Sequence, residues 1–454
     1  MSIRAILSVA VACSAFGSPA AELPDISSRP GEDWGAFLGP TGNGRSGVTG
    51  ITTPWPAAGP RVLWHVPLGE GYCAPAAARG RLVTFDRVGA AMRTRCLEAE
   101  TGRQIWEQSY ASDYRDMFGY DGGPRAAPVI HGDRVLTYGP EGRLECRALA
   151  DGASLWHVDT SAAYDVVPNF FGVGAAPLVV AVDGGEIVVV QVGGSPPGAA
   201  PPAPERLDLV KGLDSGLVAF DLATGRERWR ASAQLASYAA PVPAALGGRT
   251  RIVAWLRDDL LVVDPATGGV VAEYRWRADE LFSAVAASPV VAGDRVLLSE
   301  CYGPGSVLLD LAGGDPRVVW RDRTPRPRSA LMAHWATPIF HEAHLYGASG
   351  RHAGDAVVAC VEWATGAVRW TEPGLGRASM VLADGHLVVL GEFGDLVLAR
   401  ATPTAFDVVS RARLVAADST PLLSPPCWAA PIVARGLLFV RGARQLVCAD
   451  LLAE

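Results

Sequence analysis

A unit of about fifty residues recurs eight times along the chain, and that period constrains the fold more than any other feature. Its clearest part is a Thr-Gly or Asp-Gly turn with a tryptophan shortly after it. The pairs are Gly102 and Trp106, Gly152 and Trp156, Gly225 and Trp229, and Gly366 and Trp370. Thr267-Gly268 keeps the turn but has Ala272 where the tryptophan belongs, with Trp276 farther on. A degenerate copy runs from Leu308 to Trp320, and Leu396 to Leu414 keeps only the hydrophobic alternation. A second marker leads each unit: a small residue, a proline and a β-branched run. Pro75, Pro128, Pro177, Pro241, Pro289, Pro338 and Pro431 hold this place, and Met380 takes it in the seventh copy.

Between the markers lie short alternating runs such as Arg134 to Tyr138 and Leu144 to Ala148, each bounded by Gly/Asp turns, which read as strands. Four strands per unit and eight units specify an all-β, single eight-bladed β-propeller. The last unit, from Pro431 to Asp450, is one strand short. Arg61 to Val66 supplies an outer strand, with Trp64 in the repeat tryptophan's place. Pairing the first strand with the last unit removes an exposed edge that would invite aggregation. The expected organisation is a signal peptide at 1–21, an N-terminal extended segment at 22–60 and the propeller at 61–454.

The repeat, as in Ala219, Asp221, Thr224-Gly225 and Trp229, resembles the pyrroloquinoline-quinone-like (PQQ-like) propeller repeat. The opening Trp34 to Pro40 with Gly42-Asn43-Gly44 is similar to the start of exported bacterial proteins, of the planctomycete kind, that bear this repeat. The likeness spans about residues 32 to 451. It is specific for fold and weak for function. Members of the group include quinoprotein alcohol dehydrogenases, a propeller lipoprotein of outer-membrane protein assembly, and proteins of no assigned activity.

Met1 to Ala21 has the charged, apolar, small-residue order of a secretory signal: Arg4, then Ala5 to Phe16, then Ser18, Ala20 and Ala21. Export to the periplasm or outside the cell is expected, with lipid attachment at Cys13 as the alternative. No later run is long and apolar enough to span a bilayer. The net charge of -7 and the single lysine, Lys211, among 40 basic residues leave no cluster that could track a phosphate backbone. Nucleic acid is excluded, and a monomer acting on a protein partner or a small ligand is expected.

The resemblance raises an enzyme reading, because its dehydrogenases hold a quinone and a calcium ion on the axis and commonly use adjacent cysteines. None of the eight cysteines here is adjacent to another, and no trio of acidic and amide calcium ligands stands out. The docking tryptophans also look incomplete, since Ala272 breaks one and the seventh unit lacks another. Neither Cys-x-x-Cys nor a nucleophile elbow occurs. PQQ and calcium are therefore not favoured, and neither catalytic nor metal residues are assigned. Cys96, Cys146, Cys360 and Cys448 share one repeat slot that Ala219 and Val262 fill elsewhere, a small core position. Cys73 and Cys427 start blades that abut at closure, where a bond between them is conceivable.

Recognition is expected at the face where loops enter the innermost strands. The long inserts fall there: Ser112 to Arg125, Tyr164 to Phe171, and a flap from Gly193 to Gly216. The position three before each marker reads Tyr72, Arg125, Gly174, Tyr238, Ala286, Trp335, Arg377 and Trp428. Four of these eight are aromatic against 8% in the chain, which suits a funnel mouth rather than a core slot. The expected site adds Asp113, Tyr114, Arg115, Asp116, Tyr120, Phe170, Phe171 and His334. Aromatic faces with arginine forks suit a planar, sugar-like or anionic ligand or a partner's peptide. Packing of the rings against capping loops is the alternative reading.

Overall fold

The computed structural model describes residues 23–322 and 329–452. The expected signal peptide and Cys13 lie outside the described residues.

Eight antiparallel four-stranded sheets form the blades of a propeller. Their innermost strands are Ala76–Ala78, Val129–His131, Leu178–Val182, Val242–Leu246, Val290–Ala292, Ile339–His341, Ser379–Ala383 and Ile432–Ala434. Seven of them begin just after a marker proline, because proline cannot donate to a ladder and is tolerated where a strand starts, and the seventh in chain order begins one residue before Met380. The middle strands of each blade are almost wholly buried, and the outer ones, such as Gln104–Ala111, alternate between core and solvent. Helix is confined to Thr160–Ala163 and a single turn at Leu207–Leu209 among the described residues.

Sequence-distant strands close the ring. Arg61–Pro67 pairs antiparallel with Gln445–Asp450, so the eighth blade takes three strands from one end of the propeller sequence and one from the other. Asp450 ties both ends together through Arg29 at 2.5 Å and Arg61 at 3.0 Å.

Tryptophan docking between blades is more complete than the sequence suggests. The indole N–H of Trp64 donates to Ala99 O, Trp106 to Leu149 O, Trp156 to Leu222 O and Trp229 to Pro265 O, at 2.9 to 3.0 Å. Trp320 and Trp370 make the same bond to Trp363 O and Thr402 O. The ring lies over the turn glycine of the next blade, so closely that a Cβ at Gly102 would stand 2.7 Å from Trp64. That approach, at a φ of +73°, is why the turn carries glycine. Five of these tryptophans sit opposite the slot of Cys96, Cys146, Ala219, Cys360 or Cys448 and Trp320 opposite Leu308, each beside a β-bulge in the outer pair. Where Ala272 breaks the pattern, Trp276 bonds Gly305 O instead. In blade 7, Ser410 faces Leu398 in the tryptophan's place, and buried Trp55 of the N-terminal segment donates its backbone N–H to the serine hydroxyl.

Residues 23–60 do more than lead into the first strand. Trp34 exchanges backbone bonds with Ala77 of blade 1, and Gly35 accepts from Ile130 of blade 2. Leu38 packs with Ala239 and Val242 of blade 4, and Arg45–Ser46 runs parallel to Leu382–Ala383 of blade 7. The segment thus crosses the axis at the end of the ring away from the funnel mouth.

Candidate functional site

All eight positions that precede the markers by three line one axial cavity of about 750 Å³. Repetition is the cause: equivalent residues at the start of eight inner strands point at the same end of the same axis. Below them the wall is of small residues, among them Ala74, Ala127, Ala176 and Ala430. Phe37 and Leu38, from the segment that crosses the far end, form the floor.

The rings make a continuous arc. Tyr72 lies 4.7 Å from Trp428, Trp428 lies 5.0 Å from Trp335, and Trp335 lies 4.4 Å from His334. Tyr302 extends the arc, with its hydroxyl 3.0 Å from His334 Nε2. Burial, followed by the charges of Arg377 and Arg351, pushes the His334 pKa down to about 3, so the ring is neutral at physiological pH.

Each funnel arginine already has a carboxylate. Arg377 stacks over Trp335 at 4.9 Å and Trp428 at 5.1 Å. Its Nε donates to Glu392 Oε2 at 3.1 Å, its backbone N–H donates to the same carboxylate, and the Trp428 indole donates to Oε1 at 2.9 Å. Burial raises the Glu392 pKa, but these hydrogen bonds outweigh it and hold the group below its ordinary value. Arg125 lies over Phe171 at 4.8 Å and Tyr72 at 5.7 Å, and reaches Asp116 at 3.3 Å. Backbone N–H groups of Asp121, Tyr120 and Phe118 keep buried Asp116 ionised, against the cost of burial. Arg351 stacks on Tyr302 at 4.5 Å and pairs with Glu280 at 2.8 Å. The funnel is aromatic, and its charges are internally balanced.

Loops cover the blade 2 to 4 side of the mouth. Phe118, Tyr120, Phe170 and Phe171 cluster there with Phe282, and Phe118 lies 5.5 Å from Phe171. Phe118, Tyr120 and Phe282 stay exposed. Tyr238 packs below, its buried hydroxyl accepting the Phe171 backbone N–H at 2.9 Å.

Several expected residues lie elsewhere. Asp113 and Arg115 are exposed and do not line the funnel cavity. Tyr114 lines a separate cavity, and Asp116 braces the wall from behind Arg125. The Gly193 to Gly216 insert is anchored rather than a free flap: Leu207 packs on Phe170 and Leu235. Cys73 and Cys427 are both free thiols, with Cys73 Sγ donating to Phe85 O at 3.1 Å. Sequence reasoning missed Glu392, Tyr302, Arg351, Phe118, Phe282 and Phe37. Glu392 alone left a signal, as one of two acids, with Asp395, in the short loop between the apolar runs of one hairpin.

Among the described residues no group of three or more His, Cys, Asp or Glu could hold a metal ion. The wall carboxylates are engaged by arginine, whereas calcium needs six to eight oxygens.

The family described as outer membrane protein assembly factor BamB matches residues 56–195 and 90–414 in two overlapping stretches. The chain belongs to this BamB-like family of PQQ-like propellers. No curated protein matches it by sequence. Among solved structures, BamB from Moraxella catarrhalis is similar at 15% identity and a TM-score of 0.56, over 85% of this chain and 98% of that one. A quinohemoprotein alcohol dehydrogenase from Comamonas testosteroni is similar at 12% identity and a TM-score of 0.65, over 93% of this chain and 81% of that one. A europium-containing methanol dehydrogenase is similar at 12% and 0.50, over 91% and 90%. At such identities the BamB-like likeness is one of fold. No helix among the described residues is long and apolar enough to cross a membrane.

Proposed function

We propose that this BamB-like propeller is a non-catalytic exported scaffold, working as a monomer, that binds a protein partner or small ligand in the axial funnel. One observation carries the reading: an arc of five rings, Tyr72, Trp428, Trp335, His334 and Tyr302, whose neighbouring arginines are already neutralised. A site with balanced charges and flat apolar faces favours an uncharged planar group, such as an aromatic side chain of an envelope or extracellular protein or a small neutral ring. The signal-like Met1 to Ala21 supports export, and the assembly-factor description of the family supports a protein partner. Arg61–Pro67 completes the eighth blade, so no blade is left a strand short with its inner strands open to a second copy. No cofactor is proposed, because the carboxylates nearest the funnel already face arginines.

The test is a double variant, Trp335→Ala/Trp428→Ala, with phenylnaphthylamine as a neutral fluorescent probe. Binding should weaken about thirtyfold or more, as for removal of a hot-spot ring, with the cooperative melt retained. Unfolding of the variant would make these rings packing residues. A quinone chromophore in the absorbance of the purified protein would favour the quinone-dependent oxidoreductase that the dehydrogenase neighbours bring to mind.

A further inference from the structure

A second cavity of about 250 Å³ lies beside the funnel, roofed by the insert that carries Leu207 and walled by the loops around Asn169 and Ala236. One side chain there is out of keeping with the rest of the molecule. Arg257 is 4% exposed, as deeply buried as Arg81, Arg87, Arg95, Arg147 and Arg441. Each of those five donates to at least one carbonyl: Pro24, Gly122, Pro67, Gly152 and Cys73 respectively. The Arg257 guanidinium has neither a hydrogen bond nor an ion pair among the described residues, although it lines the cavity. Burial, then the nearby charge of Arg277, lowers its pKa to about 10 against the opposing pull of Asp258 and Asp208, so it remains a cation at neutral pH. A cation this buried, with Asp258 and Asp208 near but no carboxylate within ion-pair distance among the described residues, is costly, and a ligand anion on its guanidinium would offset that cost.

The rest of the cavity narrows the class of anion. Tyr114 lends a buried hydroxyl with no protein partner. The wall carboxylate Glu141 accepts from the Tyr110 and Ser112 hydroxyls at 2.6 and 3.2 Å, so it does not serve Arg257. Gln191 is consumed by Ala239 O, Trp255 O and the Ser237 backbone N–H. Most of the remaining surface is apolar: Val166, Val167, Val173, Leu207 and Leu235. A planar guanidinium fork matches a carboxylate in two-point geometry, and apolar walls match a short hydrocarbon body.

We propose that this side cavity binds a small monocarboxylate, its head on Arg257 and its body against the valines and leucines. The site is separate from the funnel and stands whether or not the funnel reading does.

Thermal melts of the full chain test it, with hexanoate, its neutral analogue hexanol, and sulfate as probes. Hexanoate should raise the melting temperature saturably, and hexanol and sulfate should not. Arg257→Met should lose the hexanoate response while melting no lower than the wild type without ligand, because an unpaired buried charge has been removed. If Arg257→Met does not fold, Arg257→Lys, which keeps the charge and loses the fork, should bind hexanoate about tenfold more weakly. The Trp335→Ala/Trp428→Ala variant should respond like the wild type. The proposal is overturned if hexanol or sulfate matches hexanoate, if the wild type does not respond, or if Arg257→Met responds fully. A response lost only in the tryptophan variant would move carboxylate binding to the funnel and overturn it equally.

Discussion

Trp64→Ala and Trp229→Ala remove the same local contact from two topologically different places. Trp64 is 9% exposed and Trp229 is 8% exposed. Their indoles donate at 3.0 and 2.9 Å to a carbonyl of the next blade, and both rings cover a turn glycine. Truncating a buried tryptophan costs about 3–5 kcal/mol, and the lost bond of about 1 kcal/mol places both variants toward the upper end. The two should therefore lose similar stability. Trp229 belongs to a blade made of consecutive strands, whereas Trp64 sits on Arg61–Pro67, the strand that closes the ring. Loosening that strand frees the inner three strands of blade 8 and lets unfolding start at the seam. Urea titrations followed by far-UV circular dichroism should show similar midpoint shifts, but a smaller slope or a second transition for Trp64→Ala alone. Deleting Arg61 to Val66 should go further, to aggregation. Equal slopes for both point variants, or a sharp monomeric melt of the deletion, would refute the argument that this strand holds the ring closed.

Glu392→Gln should destabilise the protein by about 2–3 kcal/mol at neutral pH, because a hydrogen bond to a charged group is worth about 1.5–3 kcal/mol and Arg377 loses its counter-charge. The wild-type carboxyl is held below its ordinary value of 4.5, so its contribution is complete above that pH and fades as pH falls through the folded value. The gap between wild type and variant, measured by urea titration, should be constant near neutrality and close in acid. Cys73 and Cys427 are buried, with thiol pKa values pushed up by burial to about 11 and about 12. Neither should react with iodoacetamide until the protein is unfolded, and reductant should leave the melting temperature unchanged; rapid labelling or a reductant-sensitive melt would contradict the free, enclosed thiols.

The repeat made much of this molecule legible before any tertiary contact was known. In a closed ring, residues at the same place in each unit occupy places related by rotation, so aligning Tyr72, Arg125, Trp335 and Trp428 on their markers amounted to a statement about geometry. The closing strand followed from the same logic, since a missing outer strand in the last unit left one place for Trp64. The docking tryptophans were undercounted for a related reason: Trp276 restores the contact from outside the aligned register, where no repeat could point to it.

What the sequence determined by itself was everything that depends on local pattern and symmetry: strands, blades, ring closure and the eight places at the mouth. Only the tertiary structure decided which side chains meet across blades. Glu392 finds Trp428 because blades 7 and 8 are rotated to bring a hairpin loop against the next inner strand. Phe37 and Leu38 become a floor because the segment before the ring crosses its axis. Asp113 and Arg115 face solvent while Asp116 beside them is buried against Arg125. Arg257 shows no sign in the sequence of being buried without a partner. These contacts join residues from different units, and their geometry is set by packing between blades and loops, for which a repeat carries no information.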